Sequence, residues 1–163
     1  MTKYNSDSIQ TMRGLEGIRK NPSMYIGGTD AHGLFVILRE LADNGVDEYH
    51  AGRNKSVAIK VDSDGTYWVK DSGAGIPQGM KVHEIEVNGK MVKSKMPTMQ
   101  AVFGELHTSG KFHSDAYKVS IGSHGVGVKG TNATSEFLDV VSCYKGKWYK
   151  IGFKKGKLTT PVK

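Results

Sequence analysis

The stretch that most constrains this chain is Tyr117–Asn132, which holds Gly122, Gly125, Gly127 and Gly130. Small and apolar residues follow, and they predict a helix opening near Val126 and running toward Ser135. Glycines ahead of a helix N-terminus let the backbone turn and approach a ligand closely. The unpaired N–H groups and the positive end of the helix dipole then face an anion, usually a phosphate. The residues in position to do this are Gly122, Ser123, His124, Gly125, Val126, Gly127 and Val128. No Gly-Lys-Ser/Thr follows, so this is not a Walker loop, and the G-x-G-x-x-G spacing of dinucleotide sites also fails. A plain flexible turn would have the same composition. The rest of the chain has to decide between them.

A second constraint lies at Ala31–His50, where the pattern is helical. Leu34, Ile37, Leu38, Leu41 and Ala42 fall on one stripe, and Glu40, Asp43, Asn44 and Asp47 fall on the adjoining face. Gly45 sits mid-helix at a cost of about 1 kcal/mol against alanine, which close approach by backbone or ligand would explain. Glu40 and Asn44 are four residues apart. That spacing lets a carboxylate activate a water while an amide oxygen holds a hard cation, although a solvated polar face would look the same.

Further along, Ser56–Asp62 alternates as a half-buried strand through Val57, Ile59 and Val61. Ser63-Asp64-Gly65 turns it back into a strand at Thr66–Lys70. That strand ends in Asp71-Ser-Gly-Ala-Gly-Ile-Pro77. Asp71 there can accept from an amine on a ligand while the two glycines, Gly73 and Gly75, leave room for a flat ring. A simple Asx-turn is the equal alternative. Residues 79–96 form an inserted hairpin around Asn88-Gly89, and a helix follows Pro97 with Met99, Val102, Phe103 and Leu106 on its core stripe. His107–Asp115, with Lys111, is a polar loop suited to a lid.

Three strands close the chain, at Phe137–Tyr144, Lys147–Phe153 and Lys157–Val162, joined by Lys-Gly turns. Trp148 and Tyr149 are expected to pack inside. At the other end, residues 1–10 form a polar arm, and a short helix through Met12, Leu15 and Ile18 stops before Asn21-Pro22. The basic run Arg19–Gly28 then leads into a buried segment.

The net charge of +7 is uneven. Residues 1–80 carry 9 basic and 10 acidic side chains, residues 81–163 carry 14 and 6, and seven lysines with no acid lie between Lys145 and Lys163. Such a face suits DNA or nucleotide phosphates, and equally suits solvated hairpins. No apolar run approaches the roughly 20 residues of a membrane span, so no membrane partner is expected. The lone Cys143 fits a reducing cytoplasm.

Three motifs in fixed order, Glu40-Leu-Ala-Asp-Asn44, Asp71-x-Gly-x-Gly75 and Gly122-x-His-Gly-x-Gly127, resemble the Bergerat-fold ATPases. The flanks Arg19–Gly27, Leu106–Phe112 and Tyr117–Asn132 are similar to the ATPase domain of type II topoisomerases of the gyrase B and topoisomerase IV kind. The resemblance runs from Tyr4 to about Val162. The hairpin at 79–96 is longer than in typical bacterial members and resembles viral or more distant ones.

The resemblance implies an α+β two-layer sandwich, a mixed β-sheet with helices on one face and the nucleotide held between helices and a lid. It also implies ATP and Mg²⁺ as cofactors. Glu40 would be the general base and Asn44 the Mg²⁺ ligand. Asp71 would accept from the adenine amino group, with Gly75 and Ile76 shaping the ring pocket. Asp47 would belong to the same ATP site, Tyr117 would contact the adenine side, Lys111 would lie in the lid, and Gly122 to Val128 would wrap the phosphates. Tyr4, in an arm of residues 1–14, would reach the ATP of a second copy of the chain. DNA and the DNA-cleaving subunit or region would be partners of the full enzyme. A nucleotide-binding regulatory module without appreciable hydrolysis is the alternative.

Several positions depart from that family pattern. Val36 stands where a histidine commonly orients the base, which predicts slow hydrolysis. Ala74 replaces an arginine of the second motif and leaves Glu48 needing another partner. Tyr144 stands where an arginine contacts aminocoumarin drugs. The family's further strand and transducer domain are not matched within residues 15–163, which predicts a monomer that binds ATP better than it hydrolyses it.

Overall fold

The computed structural model describes residues 15–87, 90–105 and 127–163, with residues 83–87, 90 and 91 described by their backbone alone. Three helices come first, α1 (Leu15–Lys20), α2 (Ser23–Ile26) and α3 (Ala31–His50). Asn21-Pro22 separates α1 from α2, as the restriction on the residue before proline predicts. The segment expected to be simply buried is a single helical turn in which Ile26 is inside and Met24 is 78% exposed. Asp30 caps α3 by accepting from the Gly33 N–H at 3.1 Å, and that bond holds its carboxyl below the usual range.

Two antiparallel hairpins follow. In the first, β1 (Val57–Val61) pairs with β2 (Tyr67–Asp71), and in the second β3 (Met80–Val87) pairs with β4 (Lys90–Pro97). The second hairpin falls where a hairpin is expected at 79–96, its ladder closing at Val87↔Lys90 on either side of residues 88–89. Then come α4 (Thr98–Gly104), α5 (Gly127–Thr134) and the antiparallel ladder β5 (Phe137–Tyr144), β6 (Lys147–Lys154) and β7 (Lys157–Thr160). Helices and sheets thus combine as an α+β fold. The ladders among the described residues are all antiparallel and fall into three sheets.

The core forms where α4 meets the inner face of β6. Met99 and Phe103 pack on Ile151 and Phe153, ringed by Ile76, Val128, Leu138, Val140 and Tyr149. Full burial of each such side chain stabilises by roughly 1.5–3 kcal/mol. A smaller cluster of Leu15, Ile18 and Ala133 fastens α1 to α5. Arg19 adds a cationic cap there by donating to the Ala133 carbonyl at 2.7 Å, near the negative end of α5.

Three expectations need correction. On α3 the buried residues are Gly33, Ile37, Gly45 and Asp47, while Leu34 is 44% exposed. Neighbours decide this: a side chain at Gly45 would collide with Val57, so β1 and β2 can approach α3 only over a small residue. Gly45 is therefore explained by protein packing. β1 is not half-buried, since Ile59 and Val61 remain 49% and 60% exposed. The β1–β2 pair meets α3 through its Val57 and Asp71 end. Trp148, expected to pack inside, is 71% exposed, because the alternation that buries Ile151 and Phe153 turns residue 148 outward. Tyr149 does pack against the core.

Candidate active site

The site is organised around the contact of α3 with the start of α5. A Cβ built on Gly127 would lie 2.5 Å from both Cβ and Oε2 of Glu40. Only glycine fits there, and its absent side chain lets the Glu40 carboxylate stand at the N-terminus of α5. Both line a cleft of about 220 Å³ with Met24, Tyr25, Ile26, Val36 and Ile37. Val36 thus puts a branched aliphatic group beside the carboxylate, where no proton can be exchanged. Asn44 lies one turn further along α3 and is half-buried. Val128 turns its side chain to the core.

Among the described residues no three His, Cys, Asp or Glu side chains cluster to hold a metal. Mg²⁺, the cation the resemblance implies, would need only one or two protein oxygens, with phosphates and water completing its octahedron. A half-buried amide oxygen such as that of Asn44 fits that requirement.

The end of β2 meets α3 further along, where Asp71 lies against Gly45. Asp71 Oδ1 accepts from the Gly73 N–H at 2.7 Å, so the Asx-turn alternative is present. Gly73 in turn lies against Glu48. Gly75 has φ +76°, and a Cβ there would overlap the carbonyl of Cys143. Next to it, the Ile76 N–H donates to Ser142 Oγ at 2.8 Å, with Ser142 buried on β5. These two contacts join the β2 loop to the C-terminal sheet. Glu48 has found the partner that Ala74 cannot supply: Arg53 donates Nε and Nη2 to its two oxygens, both at 2.9 Å. Such a fork is the strong form of this pair.

The residue that sequence reasoning missed is Asn54. It is buried, donates from Nδ2 to the Gly45 carbonyl at 2.7 Å, and accepts at Oδ1 from Ser72 N at 2.8 Å and Ser72 Oγ at 2.7 Å. Lys55 N and Ser56 N also donate to it, at 2.9 and 3.2 Å. One amide thereby ties α3 to the loop after β2. An asparagine between an arginine and a lysine carries no distinctive signal in the sequence. Asn54→Ala is expected to cost about 1–3 kcal/mol, since it strands the buried Gly45 carbonyl and removes an acceptor shared by three part-buried backbone N–H groups. Urea titration of the two proteins measures this, and a cost below about 1 kcal/mol would contradict it.

Lys129, inside α5, is 2% exposed, and burial lowers its ammonium from 10.5 to about 8, partly offset by Glu105. Below pH 8 the ammonium is charged in both states, and this group adds no pH dependence there. Between about 8 and 10.5 the folded protein has released a proton that the unfolded chain still holds, so stability rises with pH. Lys129→Met, which cannot titrate, is expected to lose that rise. Thermal midpoints of both proteins across pH 7 to 10 test it, and parallel curves would contradict it.

Of the residues singled out in the sequence, Glu40 and Gly127 are brought together, as are Asp71 with α3 at Gly45 and Gly75–Ile76 with β5. Asp47 is fully buried within α3. Tyr4, Lys111, Tyr117, Gly122, Ser123, His124, Gly125 and Val126 lie outside the described residues. Among the described residues, no helix is long and apolar enough to cross a membrane.

Known proteins are similar to this chain in sequence and in fold. Residues 29–155 match the family model described as "Histidine kinase-, DNA gyrase B-, and HSP90-like ATPase". The DNA gyrase B protein of Thermus thermophilus is 39% identical over 160 residues, covering 98% of this chain and 24% of the relative. The DNA topoisomerase 4 B protein of Staphylococcus aureus is 41% identical over 153 residues, covering 94% and 21%. The 43K ATPase domain of Thermus thermophilus gyrase B, solved with an aminocoumarin, superposes with a TM-score of 0.67 at 33% identity, covering 91% of this chain and 34% of that one. The chain therefore spans about a quarter of the length of these curated relatives. With the matched model extending over most of the described fold, this chain belongs to the histidine kinase-, DNA gyrase B- and HSP90-like ATPase family.

Proposed function

We propose that this chain is the ATP-binding module of a type II DNA topoisomerase, in which Mg²⁺-dependent nucleotide binding drives two copies together during DNA strand passage. The observation that carries the reading is the Glu40 carboxylate standing at the N-terminus of α5 across Gly127. Glu40 orients and deprotonates the attacking water, and the first N–H groups of α5, at Gly127 and Val128, hold phosphate oxygens. A bound Mg²⁺ would neutralise developing phosphate charge, and Asn44 is the side chain that would hold it. Asp71 keeps one carboxylate oxygen in its turn and offers the other to the adenine amino group, with Gly75 and Ile76 at the ring. Asp47, fully buried on α3, belongs to the same ATP site. Gly122 to Val126 wrap the phosphates from the lid side, Lys111 and Tyr117 complete the lid and adenine edge, and Tyr4 of an arm at 1–14 reaches the second copy. The domain is residues 15–163 with a hairpin insertion at 79–96.

DNA and a DNA-cleaving subunit or region are the partners of the whole enzyme. Hydrolysis by this chain is slow, a reading that Val36 beside Glu40 favours, since no imidazole stands there to orient the base. A non-hydrolysable ATP analogue titrated with and without Mg²⁺ tests the binding reading. Saturable, Mg²⁺-dependent heat supports it, and its absence counts against it.

A further inference from the structure

The C-terminal ladder gathers its lysines on the side facing away from α4. Along β6, Ile151 and Phe153 turn toward α4, so Lys150 and Lys154 turn outward with Trp148. Lys157 of β7 stands directly across from Lys154. Lys163 exchanges both backbone hydrogen bonds with Lys150, each at 3.1 Å. Two lysine–lysine pairs therefore face each other across neighbouring strands, an arrangement that like-charge repulsion disfavours. Asp139 pairs with Lys150 at 2.9 Å, and Glu136 reaches Lys154 and Lys155 at 3.8 and 3.3 Å. These pairs are half-exposed, too weak and too few to neutralise the face.

The turns add an independent observation. Lys145 and Lys155 occupy the first position of their Lys-Gly turns with φ 50° and 51°. Asparagine is the side chain that tolerates this geometry best, so lysine is strained at both tips. Between the lysines the face exposes apolar groups, with Trp148 at 71%, Val141 at 58% and Phe137 at 54%. From Lys150 to Lys154 the strand spans about 13 Å, over which one DNA strand carries about four phosphates.

We propose that the outer face of β5–β7, with its two Lys-Gly tips, binds the sugar-phosphate backbone of duplex DNA. Lysines set the register on the phosphates, and Trp148 lies against the sugar edges. The face is across the sheet from the nucleotide cleft, so the proposal goes beyond the ATP-site reading and stands independently of it.

The test is fluorescence anisotropy of the full chain with a labelled duplex, at about 50 to 200 mM salt. The logarithm of affinity is expected to fall with the logarithm of salt with a slope of about −4. Lys150→Gln/Lys154→Gln/Lys157→Gln should reduce that slope by about 3 and weaken binding at least about tenfold at the lowest salt. Lys81→Gln/Lys93→Gln/Lys95→Gln, an equal charge change on the β3–β4 hairpin, should shift it by less than about 1. Lys155→Asn should melt higher yet bind DNA more weakly, a combination that a merely unfolded variant cannot give. Equal losses from the two triple variants would overturn the proposal, as would an unchanged slope in the first. Binding of the wild type to phosphatidylserine vesicles but not to the duplex would overturn it too. Were DNA binding to behave as expected while the ATP analogue fails to bind, the nucleotide reading alone would fall.

Discussion

Gly75→Ala is expected to lower the stability of this protein by about 3–5 kcal/mol, combining the left-handed backbone cost with an overlap. Gly75 has φ +76°, and the new Cβ would fall on the carbonyl oxygen of Cys143, a main-chain atom of β5 that no rotamer change can move aside. The loop would have to retreat from β5, breaking the bond from Ile76 N to Ser142 Oγ. In a domain whose total stability is about 5–15 kcal/mol, such a loss is severe. Calorimetry should find the melting midpoint lowered by about 10 °C or more. A midpoint within about 2 °C of wild type would mean that this loop is not seated on β5 as described.

Glu40→Gln is expected to reduce single-turnover ATP hydrolysis by about 10²–10⁴-fold while leaving analogue affinity within a few-fold. The replacement keeps the shape that packs on Gly127 and removes only the ability to take a proton. Val36→His should act oppositely. Val36 lines the same cleft, and an imidazole there would orient the carboxylate, so turnover should rise by about tenfold or more. Glu40→Gln should silence that gain as well. Phosphate release under excess protein measures all four proteins. Turnover surviving in Glu40→Gln would place the base elsewhere.

What is legible in the sequence is local. The period over Ala31–His50 predicts α3 to the residue, and the Lys-Gly pairs predict both turns of the C-terminal ladder, because each rests on neighbours along the chain. The three glycine-bearing motifs point to the family for the same reason, since backbone approach to a ligand demands glycine at fixed spacing. What cannot be read depends on long-range packing. The inward side of α3 is set by Gly127, Val57 and Asp71, which are distant in sequence. Hydrophobicity therefore points to Leu34 where geometry buries Asp47. Asn54 matters only because Gly45 and Ser72 converge on it, and Arg53 replaces a missing arginine from a different segment. Trp148 is apolar by residue type and outward by position, and the strand alternation alone carries the second of these.

Whether a nucleotide is held between the end of β2 and the N-terminus of α5 is tested most directly by calorimetric titration of the chain with a non-hydrolysable ATP analogue and Mg²⁺, alongside Asp71→Ala. Saturable binding to the wild type is expected, with a loss of at least about 100-fold in the variant, as when a buried ligand donor is left unpaired. Equal affinity in the two proteins, or no binding by either, would contradict a nucleotide site at this place.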